Sequence, residues 1–151
     1  MSEKKYNIRV YGILLNENNQ VLVSDEHELG IDMTKFPGGG LEIGEGMHDA
    51  LKREWMEELN AEIKITKHFY TTDFFITSAF HKEQQLISVY YLVELVGEIS
   101  FRISTKTFDF ENGKESSQSL RWLSIKAITE NDFTFPIDKK VAMLIKNELI
   151  S

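Results

Sequence analysis

The side chains most suited to chemistry in this sequence are acids that follow a run of glycines. The group consists of Gly38–Gly40, then Arg53, Glu54, Glu57 and Glu58. If the acids lie on a helix, residues three and four apart share a face, so Glu54 lies beside both Glu57 and Glu58, and Arg53 is placed to brace Glu57. Carboxylate oxygens are the ligands that Mg²⁺ takes, commonly together with phosphate oxygens. The spacing therefore suits the binding of a divalent cation.

A helical projection places part of this acid cluster toward the protein interior. The apolar stripe consists of Met47, Ala50, Leu51, Trp55 and Leu59. On this projection Glu58 falls inside the stripe and Glu54 falls at its edge. A buried carboxylate must be compensated, because an unpaired buried charge costs several kcal/mol or is neutralised. Geometry alone leaves two compensating arrangements open, a divalent cation and a structural network of Arg and Lys.

The glycine run and Glu45 are expected to connect the preceding loop to this helix. Consecutive glycines allow close approach to the backbone, and their amides and carbonyls reach a phosphate or a metal without hindrance from side chains. A glycine run by itself is equally typical of an ordinary turn. Glu45 precedes the helix, and we expect its carboxylate to reach Arg53 and lock the loop to the helix.

Composition limits the class of protein and its partners. The chain has 151 residues, which predicts a single domain over residues 1–151. A net charge of −7 argues against a nucleic-acid polymer as the main partner, but it allows a small phosphorylated ligand bridged by a metal. The absence of cysteine excludes disulfides and thiolate chemistry. No apolar run suggests a membrane partner or a signal peptide, so we expect a cytoplasmic protein.

The pattern along the chain predicts strands combined with two main helices. The predicted strands cover residues 6–16, 21–24, 61–70, 74–80, 86–97 and 119–125, the fifth of them central and buried. The predicted helices cover residues 47–59 and a segment that begins at Pro136, with a short helix over 125–132. Loops are predicted over 25–35 and 103–119. Because strands and helices do not alternate strictly, we expect an α/β sandwich rather than a fully parallel sheet.

The spacing of the glycines and acids resembles the Nudix box, G-x5-E-x7-R-E-U-x-E-E-x-G-U, in which U is a bulky aliphatic residue. The matching positions are Gly39, Glu45, Arg53, Glu54, Trp55, Glu57, Glu58, Asn60 and Ala61. All charged positions agree, and the flanking strands and closing helix extend the resemblance over most of the chain. Asn60 replaces the box glycine. Asparagine is the next-best residue for a left-handed helix end, so we expect this turn to be preserved.

The resemblance implies a Nudix-type α/β/α sandwich with a mixed β-sheet between helices. It further implies metal-dependent hydrolysis of a phosphoanhydride bond in a nucleoside diphosphate linked to another moiety. A nucleoside triphosphate, a nucleotide sugar, an ADP-ribose-like compound and a dinucleoside polyphosphate all stay open as the small-molecule substrate. The oligomeric state is open, a homodimer included. The alternatives are a Nudix-fold module that binds a nucleotide without turnover and, least favoured, an acidic structural domain.

The resemblance also assigns site residues. It implies that Glu54, Glu57, Glu58 and the Gly38 carbonyl bind Mg²⁺ or Mn²⁺, and that Arg53 and Glu45 orient them. Many relatives carry a further glutamate three residues before a tryptophan in a late strand, and here Ser119 occupies that position. The candidates for this additional acid are Glu115, Glu111 and Glu83, of which Glu115 is our choice because it lies in the long loop.

Overall fold

The residues that the structure describes form seven strands, two α-helices and one short 3-10 helix. The structure is a computed structural model, and it describes residues 5–111 and 117–149. The strands are β1 (Lys5–Leu14), β2 (Gln20–Glu28), β3 (Ile31–Lys35), β4 (Gly38–Gly40), β5 (Ile63–Thr71), β6 (Gln84–Leu95) and β7 (Ser117–Ser124). The helices are α1 (Met47–Leu59) and α2 (Pro136–Glu148), and the 3-10 helix covers Glu130–Asp132. The predicted α/β class is confirmed.

The described residues fall into two compact units, and the first of them carries the acid helix. It contains the segment up to Gly12 together with Gly38–Ile99. Its sheet has the strand order β4-β1-β6-β5, in which β1 pairs antiparallel with β4, and β5 pairs antiparallel with β6. The predicted central strand is confirmed, since β6 is an inner strand whose residues Ser88–Tyr91 are all buried.

The second unit contains Ile13–Pro37 and the segment from Ser100 onward, and it holds an antiparallel sheet with the order β3-β2-β7.

The predicted loop over residues 25–35 is wrong, because β2 and β3 form a hairpin there. Leu29 and Gly30 make the turn with φ of 52° and 77°. Two consecutive residues with positive φ are typical of a type I′ turn, and the sequence at these two positions is usually Asn-Gly or Asp-Gly. Because leucine occupies the first of these positions, the sequence pattern did not indicate the turn.

Asp25 is an acidic residue inside β2, and its hydrogen bonds explain how it is accommodated in the second unit. Its side chain is fully buried, and it accepts hydrogen bonds from Arg121 Nε at 2.7 Å, Arg121 Nη2 at 3.2 Å and Thr34 Oγ1 at 2.7 Å. The Phe108 amide donates to the same carboxylate at 3.1 Å. A buried charge is tolerated when it is paired and fully hydrogen-bonded. Asp25 is thus an interior residue of the sheet, although its residue type suggested a loop.

Three further predicted elements differ from the structure. Residues 74–80 form no strand in the part of the chain that the structure describes, apart from a single bridge between Thr77 and Gln85, and Phe75 is 73% exposed. The short helix predicted over 125–132 is reduced to the 3-10 helix, whose first turn is closed by reciprocal hydrogen bonds between Thr129 and Asp132. The predicted long loop ends earlier, since β7 begins at Ser117.

The closing helix agrees with its prediction. Pro136 stands at the start of α2, where its missing N–H leaves no intrahelical bond unmade. The predicted apolar positions Val141 and Ile145 are fully buried. Neither α1 nor α2, the α-helices within the described ranges, is long and apolar enough to cross a membrane.

Candidate metal centre

The helix α1 is the scaffold of the acid cluster, and its bounds match the predicted ones. It buries Ala50, Leu51, Trp55 and Leu59. It ends at Asn60, which has φ 52° and ψ 41° and donates its amide to the Met56 carbonyl at 3.1 Å. This left-handed residue is the helix end that the sequence predicted for an asparagine in the glycine position of the box.

The strand β4 lies next to β1 and consists only of glycine. Its register places Gly38 opposite Tyr11 and Gly39 opposite Val10. An ideal Cβ at Gly38 would clash with the Val10 carbonyl oxygen and would lie 2.8 Å from the Cα of Tyr11. An ideal Cβ at Gly39 would lie 2.6 Å from Oε1 of Glu54. Gly38 is therefore required by lack of space, because its neighbours are backbone atoms, whereas at Gly39 the neighbour is the end of the Glu54 side chain, which an added Cβ would displace.

Arg53 joins the loop before α1 to the helix. Its Nε and Nη2 donate to the two oxygens of Glu45 at 3.0 Å and 2.6 Å, and Nη2 also donates to the Gly40 carbonyl at 3.0 Å. The amide of Glu42 donates to Glu45 Oε1 at 2.8 Å. These hydrogen bonds lower the pKa of Glu45 to about 2, and the bond from Arg53 is the largest cause. The same pairing raises the pKa of Arg53. The loop is thus held to the helix by a forked ion pair.

The same guanidinium contacts two of the predicted metal ligands. Nη1 of Arg53 donates to Glu54 Oε1 at 3.0 Å and to Glu57 Oε2 at 3.3 Å. The Glu54 side chain is only 14% exposed, whereas that of Glu57 is 60% exposed. Arg53 thus engages one oxygen of each carboxylate and does not occupy the other. The structure brings Glu45, Arg53, Glu54 and Glu57 together in the first unit.

The predicted burial of Glu58 is wrong. Its side chain is exposed, and Met47, which the projection placed in the same buried stripe, is 36% exposed. Glu54, which the projection placed at the edge, is the more buried acid. A helical projection gives the direction in which a side chain points, but not how far the surrounding protein extends along the helix axis. On this side of α1 the protein body covers Glu54 and leaves Glu58 open to solvent.

The donor set of α1 fits a hard divalent cation by its chemistry. Within residues 5–111 and 117–149, no three His, Cys, Asp or Glu side chains converge closely enough to hold a metal as they stand. This agrees with the repulsion between like charges three and four residues apart on a helix. The partly buried Glu54 carboxylate, seated against the backbone of Gly39, is the oxygen donor best placed to anchor such an ion. Glu57 and Glu58 are exposed and extend from the same helix.

The structure describes two of the three candidates for the additional acid. Glu115, our choice from the sequence, lies outside the described residues. Glu111 forms an ion pair with Arg102 at 3.4 Å in the second unit, while Glu83 lies 3.8 Å from His81 in the first. Ser119 is buried, and its Oγ accepts a hydrogen bond from Arg102 at 3.4 Å.

Two contributors to the site were missed in the sequence. The Gly40 carbonyl is an acceptor for Arg53, and nothing in the sequence distinguishes it from its neighbours. Gly12 lies under the Trp55 ring, where an ideal Cβ would be 2.8 Å from Cζ2. A glycine inside a strand often marks such a close approach, which is the signal that would have identified Gly12.

Comparison with known proteins identifies the class that this fold and helix define. An α/β protein with a glycine strand beside a carboxylate helix matches the family model described as "NUDIX domain" over residues 5–144. The chain therefore belongs to the NUDIX family, and it is a hydrolase of that family. The family acts generally on nucleoside diphosphate derivatives and generally uses divalent cations.

Solved structures show the same fold at low sequence identity. The MutT protein from Methanosarcina mazei Go1 is 18% identical, with all of both chains covered and a TM-score of 0.71. A NUDIX hydrolase from Nitrosomonas europaea is 17% identical, with 92% of this chain and 86% of that chain covered and a TM-score of 0.67. An ADP-ribose pyrophosphatase from Streptococcus suis 89-1591 is 14% identical, with 91% and 84% covered and a TM-score of 0.57. No curated protein matches the sequence.

Proposed function

We propose that the chain hydrolyses a phosphoanhydride bond in a nucleoside diphosphate linked to another moiety, with Mg²⁺ or Mn²⁺ held by Glu54, Glu57 and Glu58 and by the Gly38 carbonyl. The observation that supports this most directly is the seating of the Glu54 carboxylate against Gly39 while Arg53 holds one of its oxygens. A carboxylate fixed on both sides is positioned before any ligand arrives.

The residues around these acids have distinct roles in the proposal. Arg53 orients Glu54 and Glu57 by hydrogen bonds, and Glu45 fixes the plane of the Arg53 guanidinium through its forked pair. The strand β4 carries no side chains, so the groups that it offers to a cation or a phosphate are its backbone amides and carbonyls, that of Gly38 included. When bound, a divalent cation polarises phosphoryl oxygens and lowers the pKa of a water ligand.

Some parts of the proposal rest on the sequence alone. The single domain over residues 1–151, the cytoplasmic location and the absence of a nucleic-acid partner stay predictions. Glu115 stays the predicted additional acid, either as a metal ligand or as the base that takes a proton from the attacking water. The moiety linked to the diphosphate is selected outside the acid cluster, so the four substrate classes stay candidates.

A hydrolysis screen tests the proposal. The purified chain is incubated with a nucleoside triphosphate, ADP-ribose, a nucleotide sugar and a dinucleoside polyphosphate, each with Mg²⁺ or Mn²⁺, and the products are identified. We expect cleavage of at least one class and a loss of more than about 100-fold in Glu57→Gln, since even residues behind the metal ligands contribute 10- to 100-fold. The control is Asp49→Asn, which removes an exposed acid of the same helix.

Two outcomes would contradict the proposal in different ways. No cleavage in the whole panel, with nucleotide binding retained, would favour a binding module without turnover. Cleavage that survives in Glu57→Gln and in Glu58→Gln would show that the acids of α1 do not carry the reaction.

A further inference from the structure

Arg9 lies on the face of the first unit's sheet opposite α1. Side chains alternate between the two faces of a strand. Gly39 and Gly12 face α1, because ideal Cβ atoms there would meet Glu54 and Trp55. Arg9 pairs with Gly40, one position along from Gly39, and therefore extends on the other face. An ideal Cβ at Gly40 would have Arg9 Nη1 as its neighbour at 3.6 Å.

The guanidinium of Arg9 is held in a defined orientation. Its Nε donates to the Tyr11 hydroxyl at 2.7 Å, and its Cζ lies 5.8 Å from the centroid of the Tyr11 ring. Tyr11 in turn stacks on Tyr90, with centroids 5.1 Å apart and an angle of 29° between the rings, and Tyr90 is only 1% exposed. A rigid aromatic base therefore fixes a half-buried arginine over the backbone of β4. Little entropy remains to be lost when this arginine binds an anion.

The strand β4 separates Arg9 from the acid cluster and is also an edge of the sheet. It is the terminal strand in the order β4-β1-β6-β5, and its residues are all glycine. Glu54 approaches Gly39 on one face of the strand, and Arg9 approaches Gly40 on the other. Only the thickness of one strand without side chains lies between the carboxylate and the guanidinium. Gly38 and Gly39 are buried and Gly40 is half-buried, so Gly40 is the point of the strand at which a bound anion would meet both groups.

We propose that Arg9 binds a phosphoryl oxygen of the organic diphosphate, on the face of β4 away from the acid cluster. This inference rests on the proposed function, because it assumes that the rest of the diphosphate lies at the acids of α1. The planar guanidinium matches two phosphate oxygens at once, which a lysine ammonium does not. Arg9 is then a binding residue for the phosphate chain, and the ligand class is an organic diphosphate with one phosphoryl group at the acids and the other at Arg9.

The competing interpretation is that Arg9 only supports Tyr11. A supporting residue would affect the thermal midpoint of unfolding and would leave ligand affinity unchanged once the protein is folded. A phosphate-binding residue would affect affinity, and therefore KM more than kcat. Measurement of both quantities separates the two roles.

The test measures binding of α,β-methylene-ADP by calorimetry with Mg²⁺ present, together with kcat and KM for whichever substrate is cleaved. Because Arg9→Gln removes charge-assisted hydrogen bonds to the phosphate, we expect it to weaken binding about 10- to 100-fold. Arg9→Lys, which keeps the charge, should weaken it less. The control Lys64→Gln removes one exposed cation from β5, at the far edge of the same sheet, and should leave affinity unchanged.

The outcomes distinguish this inference from the proposed function. Unchanged affinity of Arg9→Gln, with the wild-type protein hydrolysing a substrate, would overturn the role of Arg9 alone. Weakened affinity without hydrolysis by the wild type would support Arg9 and contradict turnover. Failure of the wild type to bind the analogue with either Mg²⁺ or Mn²⁺ would overturn the role of Arg9, whereas hydrolysis in the screen would still support the proposed function.

Discussion

The backbone of Gly39 lies directly against the carboxylate of Glu54. An ideal Cβ at Gly39 would stand 2.6 Å from Glu54 Oε1, which is closer than real Cβ atoms come to other heavy atoms. The glycine strand β4 and the acid helix α1 are therefore in direct contact, although they are separate segments of the sequence. Gly39, a glycine of the box, thus leaves the space that is occupied by the carboxylate of Glu54, the first predicted metal ligand.

Gly39→Ala should therefore displace Glu54 and lower cation affinity and activity together. Gly40→Ala is the matched control, since its Cβ would come no closer than 3.6 Å to Arg9 Nη1, an ordinary contact. We expect Gly39→Ala to lose at least about 10-fold in cation affinity, given that residues orienting metal ligands contribute 10- to 100-fold. Calorimetric titration with Mn²⁺ measures this loss. Equal affinities in the two variants would contradict the seating of Glu54 on Gly39.

Gly12→Ala should destabilise the protein through Trp55. The added Cβ would lie 2.8 Å from Trp55 Cζ2 and 2.9 Å from Nε1, so the indole has to shift. Overpacking of this kind costs about 1–3 kcal/mol in the free energy of unfolding. The cost should largely disappear when it is measured in a Trp55→Leu background, because the ring is then absent. Urea unfolding of the four proteins measures the coupling, and an equal cost in both backgrounds would refute the contact.

Asn60 should tolerate glycine and reject valine. Its φ of 52° lies in the left-handed region, which glycine enters freely and a β-branched residue enters at high energy. We expect Asn60→Gly to be neutral or slightly stabilising, and Asn60→Val to cost about 1–2 kcal/mol. Urea unfolding gives both values. A valine variant as stable as the wild type would mean that the helix end does not depend on this backbone conformation.

Glu45 should stabilise the fold in a manner that depends on pH. Its pKa falls from 4.5 to about 2 in the folded protein because Arg53, and then the Glu42 amide, donate to its carboxylate. A depressed pKa means that the ionised form favours folding, so the stabilisation is complete above pH 4.5 and is lost as the pH falls toward 2. The thermal midpoint of Glu45→Gln should lie below that of the wild type at pH 7, and the difference should shrink below pH 4.5. A difference that stays constant over this range would contradict the ion pair.

The acid helix could be predicted closely because its determinants are local. The bounds of α1 follow from the helical spacing of its apolar residues and from Asn60, and the contact of Glu45 with Arg53 follows from their spacing. The exposure of Glu58 could not be predicted, since it depends on how much of the protein covers that side of α1. The bare strand β4 was visible in the sequence only as a glycine run, and its role became clear when Glu54 was found against it.

The rest of the fold depends on partners that are distant in the sequence. Asp25 looked like a loop residue, yet it is buried because Arg121, 96 positions away, pairs with it. Trp55 occupies a position at which the box has an aliphatic residue, and the room for its larger ring comes from Gly12 on β1. A local sequence pattern does not indicate contacts between residues that are distant in the sequence. For this reason the hairpin of β2 and β3 was missed while α1 was found.

The central claim is that the acids of α1 hold a divalent cation, and Mn²⁺ binding followed by electron paramagnetic resonance tests it most directly. Glu54→Gln, Glu57→Gln and Glu58→Gln are titrated beside the wild type and Asp49→Asn, with circular dichroism to show that each protein is folded. The account predicts that wild type and Asp49→Asn bind Mn²⁺ equally, and that each glutamate variant binds at least about 10-fold more weakly, a difference of about 1.4 kcal/mol. Wild-type affinity in all three glutamate variants would contradict the metal centre.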